Sequence, residues 1–126
     1  DHLLILDGAH NPQKLAAFAN RIEWENKAPV TLITAIGEHK DLIQCLESVK
    51  PVVKRVIATE YFTKQQDIPV RPQSAQDIAS ACEQLGIEHH VEISPKNALE
   101  KATGFPEPIT VSGSFYLLGE IDKLVS

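Results

Sequence analysis

Methionine is absent from this 126-residue chain, and the first residue is Asp1. Translation starts at Met, and its removal favours a small second residue, so the chain is expected to be a piece of a longer protein. Cysteine is scarce too. Cys45 and Cys82 fall far apart inside helical patterns, which suggests a reducing compartment and no disulfide framework. Basic residues are outnumbered, 12 Lys and Arg against 17 Asp and Glu, for a net charge of −5. An acidic chain without a basic cluster is a poor partner for nucleic acid or an anionic membrane. No apolar run approaches the roughly 20 residues of a transmembrane helix. The N-terminal residues lead straight into a strand-like run, so no signal peptide and a cytoplasmic location are expected. Three glycine signatures are missing as well: the dinucleotide Gly-x-Gly-x-x-Gly, the P-loop Gly-x-x-x-x-Gly-Lys-Ser/Thr and the hydrolase Gly-x-Ser-x-Gly.

What remains is ordinary globular material. Hydrophobic residues make up 43% and charged residues 23%, enough for one packed core in one domain. Short β-branched runs alternate with stretches of helical period. Strands are predicted at 3–6, 30–36, 53–59, 89–93 and 108–111. Helices are predicted at about 12–27, 40–50, 74–85, 95–103 and from 114 onward, with 60–73 a polar loop crossing the sheet edge. The predicted apolar faces are Leu15, Phe18, Ala19 and Ile22; Leu42, Ile43, Leu46 and Val49; Ala75, Ile78, Ala79, Cys82 and Leu85; and Leu117, Leu118, Ile121 and Val125. This alternation implies a three-layer α/β/α, Rossmann-like domain with a mostly parallel sheet of five to six strands. Ligands in such sheets bind beyond the carboxyl ends of the strands.

Three of the loops expected there carry chemistry. In Asp7-Gly8-Ala9-His10-Asn11-Pro12, Asn11 suits an N-cap and Pro12 the first helical position. Gly8 permits a left-handed turn or close approach to a ligand. Asp7 can accept hydrogen bonds from a ribose or adenine, and His10 can donate to phosphate at the polarised helix end. Equally, Asp7 and Asn11 can serve only as turn and cap. In Gly37-Glu38-His39-Lys40-Asp41, Lys40 can hold a phosphate or carboxylate as a point charge, or be merely solvated, with Asp41 a cap. In Ser112-Gly113-Ser114, hydroxyls and free amides at a helix start form an anion cradle or a plain cap. His89 and His90 with His2 or His39 lack the spacing of a zinc site, and no metal ligand set is assigned.

The run Leu6-Asp7-Gly8-Ala9-His10-Asn11-Pro12 resembles the signature opening the C-terminal domain of folylpolyglutamate synthases and bifunctional dihydrofolate synthases, in the Mur ligase superfamily. Gly37 to Asp41 resembles that family's Gly…Asp-Lys-Asp loop, with His39 where Asp is frequent. Val111-Ser112-Gly113-Ser114-Phe115-Tyr116 resembles its closing motif. The resemblance spans the chain and implies a Mur-type C-terminal domain over 1–126, without the N-terminal ATPase domain. It implies an ATP-dependent ligase that joins L-glutamate to folate or dihydropteroate. The acceptor carboxylate is first phosphorylated by ATP, and the glutamate amine then attacks the acyl phosphate. Magnesium ligands, the P-loop and most of the pterin site would lie in the N-terminal domain, the partner of this one. By motif, Asp7 and His10 would contact ATP. Asn11, Ser112 and Ser114 would contact glutamate, Lys40 a phosphate or carboxylate, and no residue here would be catalytic. Muramyl-peptide and cyanophycin ligases carry Tyr where Gly8 stands. A response-regulator receiver needs an acidic pair after the first strand and Lys after the fifth, where this chain has a single Asp and Ser112. A stand-alone nucleotide-binding module is the remaining alternative.

Overall fold

The computed structural model describes residues 3–62 and 71–126. Five strands, β1 (Leu4–Leu6), β2 (Val30–Thr34), β3 (Val53–Ala58), β4 (Glu88–Val91) and β5 (Ile109–Ser112), form one sheet in the order β1-β5-β2-β3-β4. Every pairing is parallel. The five helices are α1 (Pro12–Trp24), α2 (Leu42–Val49), α3 (Ala75–Leu85), α4 (Pro95–Thr103) and α5 (Phe115–Val125). A 3₁₀ turn, Lys50–Val52, joins α2 to β3.

Central parallel strands are covered on both faces and read as continuous apolar runs. All five residues of β2 are buried. Leu32 and Val56 point into one core, under α1, α2 and α3; Ile33 and Ile57 point into the other, with α4 and α5. The α/β/α layering follows. The chain from β4 to β5 returns across β3 and β2, so α4 lies on the face opposite α1–α3. The loops of β1 and β2 therefore leave toward one face and the neighbouring loop of β5 toward the other. A crevice opens above β5, where parallel sheets bind ligands. This order also excludes a receiver, whose first strand is internal.

Several predicted boundaries move. Helix α1 stops at Trp24, not 27. Asn26 takes a left-handed φ of 57°, and Lys27 N donates to Ile22 O at 3.0 Å, which closes the last turn. β2 stops at Thr34, two residues early, because its partner β5 ends at Ser112 and turns away at Gly113. β4 covers Glu88–Val91, and the predicted Ile93 lies beyond it, 54% exposed. Val125, predicted apolar stripe, is 49% exposed at the frayed end of α5. The predicted loop 60–73 lies partly outside the described residues.

At the amino ends of the strands, the Arg55 side chain is buried and paired with Glu88 and Glu107; it also donates to Thr31 Oγ1 and lies over the Phe105 ring. Hydrogen bonds from Arg55 hold the Glu88 carboxyl below its usual range. They do the same for Glu107 against the opposing effect of burial. This network is remote from the crevice.

Candidate functional site

The first motif loop continues the ladder: Asp7 N donates to Val111 O at 3.0 Å. One Asp7 carboxylate oxygen accepts from Ala9 N at 2.8 Å, and the other accepts from Arg21 at 2.5 Å. Asp7 is thus a turn residue and one half of an ion pair. Asn11 caps α1, accepting from Lys14 N at 2.9 Å in an extended conformation before Pro12. His10 Nδ1 lies 3.1 Å from Gly8 O. A carbonyl can only accept, so Nδ1 carries the proton and Nε2 is left for another partner. The left-handed turn expected at Gly8 does not occur; the positive-φ glycines among the described residues are Gly86 and Gly113. Gly8 lies against the Phe115 ring, and a Cβ there would require that exposed side chain to shift.

In the closing motif Gly113 does need to be glycine. Its φ is 106°, and a Cβ would come within 2.7 Å of Ala35 O. Gly113 N donates to Ala9 O at 2.7 Å, tying this loop to the first. Ser114 caps α5, its Oγ accepting from Tyr116 N at 3.1 Å. Ser112 is fully buried, and its Oγ has no hydrogen-bond partner among the described residues. The two serines therefore differ: Ser114 reaches the crevice, and Ser112 lies under it.

Tyr61, just past β3, was not singled out by sequence reasoning. Its ring stacks on Tyr116 with centroids 5.1 Å apart. Burial pushes its phenol above the ordinary value, Tyr116 and Glu38 add to that, and a hydrogen bond with Ser114 opposes it. The available signal was an aromatic residue directly after a strand end in a ligand-facing loop.

The β2–α2 loop places Lys40 beside this group, with Asp41 capping α2 through Gln44 N at 3.0 Å. His10, Lys40, Ser114, Tyr61, Tyr116 and Phe115 line one cleft of about 300 Å³. Across the Phe115 ring lies a wider groove of about 480 Å³, lined by Asp7, Lys14, Phe18 and Arg21. Three of the six proposed contact residues thus share one cleft, and Asp7 faces the next. Asn11 is occupied as a cap beside them. An ammonium, an imidazole, a hydroxyl and the start of α5 can together hold a carboxylate or phosphate.

Among the described residues, no three His, Cys, Asp or Glu side chains converge on a metal position. His89 faces Ile87 O, His90 faces Glu88, and His39 is exposed beside Glu38; His2 lies outside the described residues. Both cysteines are buried and unpaired. Burial pushes their thiols up, Cys45 to about 11 and Cys82 to about 12, which suits packing rather than nucleophilic chemistry.

The family model described as dihydrofolate synthetase, C-terminal domain, matches residues 1–124. No curated protein matches at a significant level. Among solved structures, the chain is similar to a bifunctional folylpolyglutamate synthase/dihydrofolate synthase from Yersinia pestis, complexed with AMPPNP and Mn ion. There the identity is 20% and the TM-score 0.81, over 97% of this chain and 28% of that one. A structure of such a bifunctional synthase with Mn, AMPPNP and L-glutamate bound gives 20% identity and a TM-score of 0.81, over 98% and 29%. The Helicobacter pylori folylpolyglutamate synthetase gives 26% and 0.73, over 96% and 28%. The chain spans under a third of the length of each.

Proposed function

The chain belongs to the dihydrofolate synthetase C-terminal domain family, and on that premise we propose that it is one half of an ATP-dependent amide-bond-forming ligase. The whole enzyme adds L-glutamate to folate, to dihydropteroate or to both through an acyl phosphate. The observation that carries this reading is the shared cleft. Lys40, His10 and Ser114 come from three loops far apart in sequence and meet at the carboxyl ends of the strands. Glutamate, with two free carboxylates, is the substrate that suits such a cradle.

The roles follow from the geometry. Lys40 supplies a positive charge to a glutamate carboxylate, and the Ser114 hydroxyl, with the Phe115 amide that its cap leaves over, supplies donors. Ser112 backs the cradle from beneath, and Asn11 holds the start of α1 that frames it. Asp7 and His10 serve ATP, with Asp7 taking a nucleotide hydroxyl. The Nδ1 proton of His10 is already given to Gly8 O, so donation to phosphate from Nε2 requires the imidazolium. Magnesium ligands, the phosphate-binding loop and most of the pterin contacts are assigned, as the resemblance implies, to an N-terminal domain of the full-length protein. Magnesium supplies charge neutralisation on the transferred phosphoryl group when bound. This domain contributes positioning, which in such reactions is most of the catalysis. The muramyl-type reading gains no support from Gly8 or Asn11.

The test is to assay the full-length enzyme with ATP, glutamate and each pterin acceptor, following ADP and product mass. A product heavier by one glutamyl unit, formed with ADP in equal amount, is expected. ATP turnover without a glutamylated product would refute the reading. The chain on its own, lacking a phosphate-binding loop, is expected to turn over no ATP; hydrolysis above a vector control would count against the division of labour.

A further inference from the structure

Gln73 belongs to none of the three motif loops, yet its side chain is built into one of them. Its Nε2 donates to Gly37 O at 2.9 Å and to Lys40 O at 2.8 Å. A primary amide offers two N–H donors, and both go to carbonyls three residues apart in the loop that presents Lys40. The main chain adds to the tie: Gln73 N donates to Ile36 O at 2.8 Å, and Glu38 N donates to Arg71 O at 2.8 Å. Within the loop itself there is one closing bond, Lys40 N to Gly37 O at 3.1 Å. Helical bonding of α2 begins one residue later, with Cys45 N donating to Asp41 O. Lys40 O would otherwise be an unpaired helix-entry carbonyl. Gln73 does not line the cleft that Lys40 lines.

A lysine is a point charge on a long flexible stem. Where that charge sits depends first on where its backbone is anchored, and small misplacements of a binding group are costly. Resting on the reading of Lys40 as a carboxylate contact, we infer that Gln73 is a positioning residue for glutamate, acting through Lys40 by clamping the Gly37–Lys40 turn from outside the site. No other side chain of comparable reach supplies two donors without adding a charge beside Lys40.

The test uses the full-length enzyme, with glutamate and ATP varied separately, in Gln73→Ala, Lys40→Ala and the double variant. Gln73→Met, which keeps the bulk and removes both donors, replaces Gln73→Ala if that variant fails to fold. Loss of the clamp is expected to raise the glutamate KM about tenfold while the ATP KM stays within about twofold. In the Lys40→Ala background the same substitution should add nothing, because residues acting through one another are not additive. An equal rise in both KM values overturns the inference, as does a full penalty persisting without Lys40, or a lowered Tm with unchanged kinetics. If Lys40→Ala leaves the glutamate KM unchanged, the reading of Lys40 falls and the inference with it. If Lys40→Ala raises that KM and Gln73→Ala does not, the inference alone falls.

Discussion

Replacing Asp7 in two ways separates its two roles. One carboxylate oxygen accepts from Ala9 N at 2.8 Å within the turn, and the other pairs with Arg21 at 2.5 Å. The Asp7 side chain is 17% exposed and that of Arg21 49%, so the ion pair is largely solvated and contributes about 0–1 kcal/mol. The bond from Ala9 N to a charged acceptor contributes about 1.5–3 kcal/mol. Asp7→Ala loses both and should destabilise the domain by about 2–3 kcal/mol. Asp7→Asn keeps an acceptor for Ala9 N and gives up only the charge, so its cost should stay near 1 kcal/mol. If the carboxylate also takes a nucleotide hydroxyl, both variants lose a charge-assisted bond in the closed site. The matching drop in kcat/KM for ATP is roughly 10- to 100-fold. Steady-state kinetics of the full-length variants, paired with thermal unfolding, give the answer. An Asp7→Asn enzyme with wild-type ATP kinetics would refute the nucleotide role and leave Asp7 a turn residue.

Ser112→Ala and Ser114→Ala should behave differently. Ser114→Ala removes a cap, costs about 0.5–2 kcal/mol, and raises the glutamate KM more than the ATP KM. Ser112→Ala removes a buried hydroxyl that has no partner among the described residues and should leave stability unchanged or improve it; a large loss of Tm there would mean the hydroxyl is paired in solution. Arg55→Met should destabilise by about 1.5–3 kcal/mol, since it removes the charged donor of the half-buried Glu107 and leaves that carboxylate only Thr31 Oγ1. Glu88 and Glu107 titrate below their unfolded values, so the stability they contribute is present above the ordinary carboxylate range and lost as pH falls through their lowered values. The gap between wild type and Arg55→Met in urea unfolding should therefore narrow toward pH ~3, and a gap constant with pH would contradict this assignment.

The layering was legible because periodicity reports burial directly. The predicted face of α1, Leu15, Phe18, Ala19 and Ile22, is the set the structure buries, and the cap at Asn11 follows from a side chain that competes locally for backbone donors. Strand order was not legible, since no local signal says that β5 inserts between β1 and β2. The ends of β2 and β4 were misplaced for the same reason: a strand stops where its neighbour turns away, and the neighbour was unknown. Gly8 shows the limit at single-residue scale. A glycine in a turn suggests backbone freedom, but Gly8 has no positive φ, and what lies against it is the Phe115 ring, 107 positions later in the chain. Tyr61 and Gln73 escaped because their partners, Ser114 and the Lys40 loop, come together only through the tertiary fold.

The insertion of β5 has a consequence for how the site works. It brings the first and last motifs into direct contact, through Gly113 N on Ala9 O and Asp7 N on Val111 O. The second motif joins them through Ala35, against which Gly113 is packed without room for a Cβ, and through Thr34 Oγ1, which donates to Ser112 O at 2.8 Å. The first and last loops, bonded backbone to backbone and packed on the end of β2, form a common frame for the side chains they carry. The most exposed large apolar side chain at the crevice is Phe115, 62% accessible, lying between the cleft of Lys40 and the groove of Asp7. A ridge there sets Asp7 apart from Lys40 and Ser114, while His10, in the Lys40 cleft, lies where the two proposed ligands would adjoin. The proposed reaction has such a requirement: a phosphoryl group must reach an oxygen of the acceptor carboxylate, and the amine must then reach the carbon of the same group as phosphate leaves. Substitutions at Lys40 and Ser114 should then act on glutamate and one at Asp7 on ATP, whereas a substitution at Gly113, which is packed on Ala35 and bonded to Ala9, should affect both.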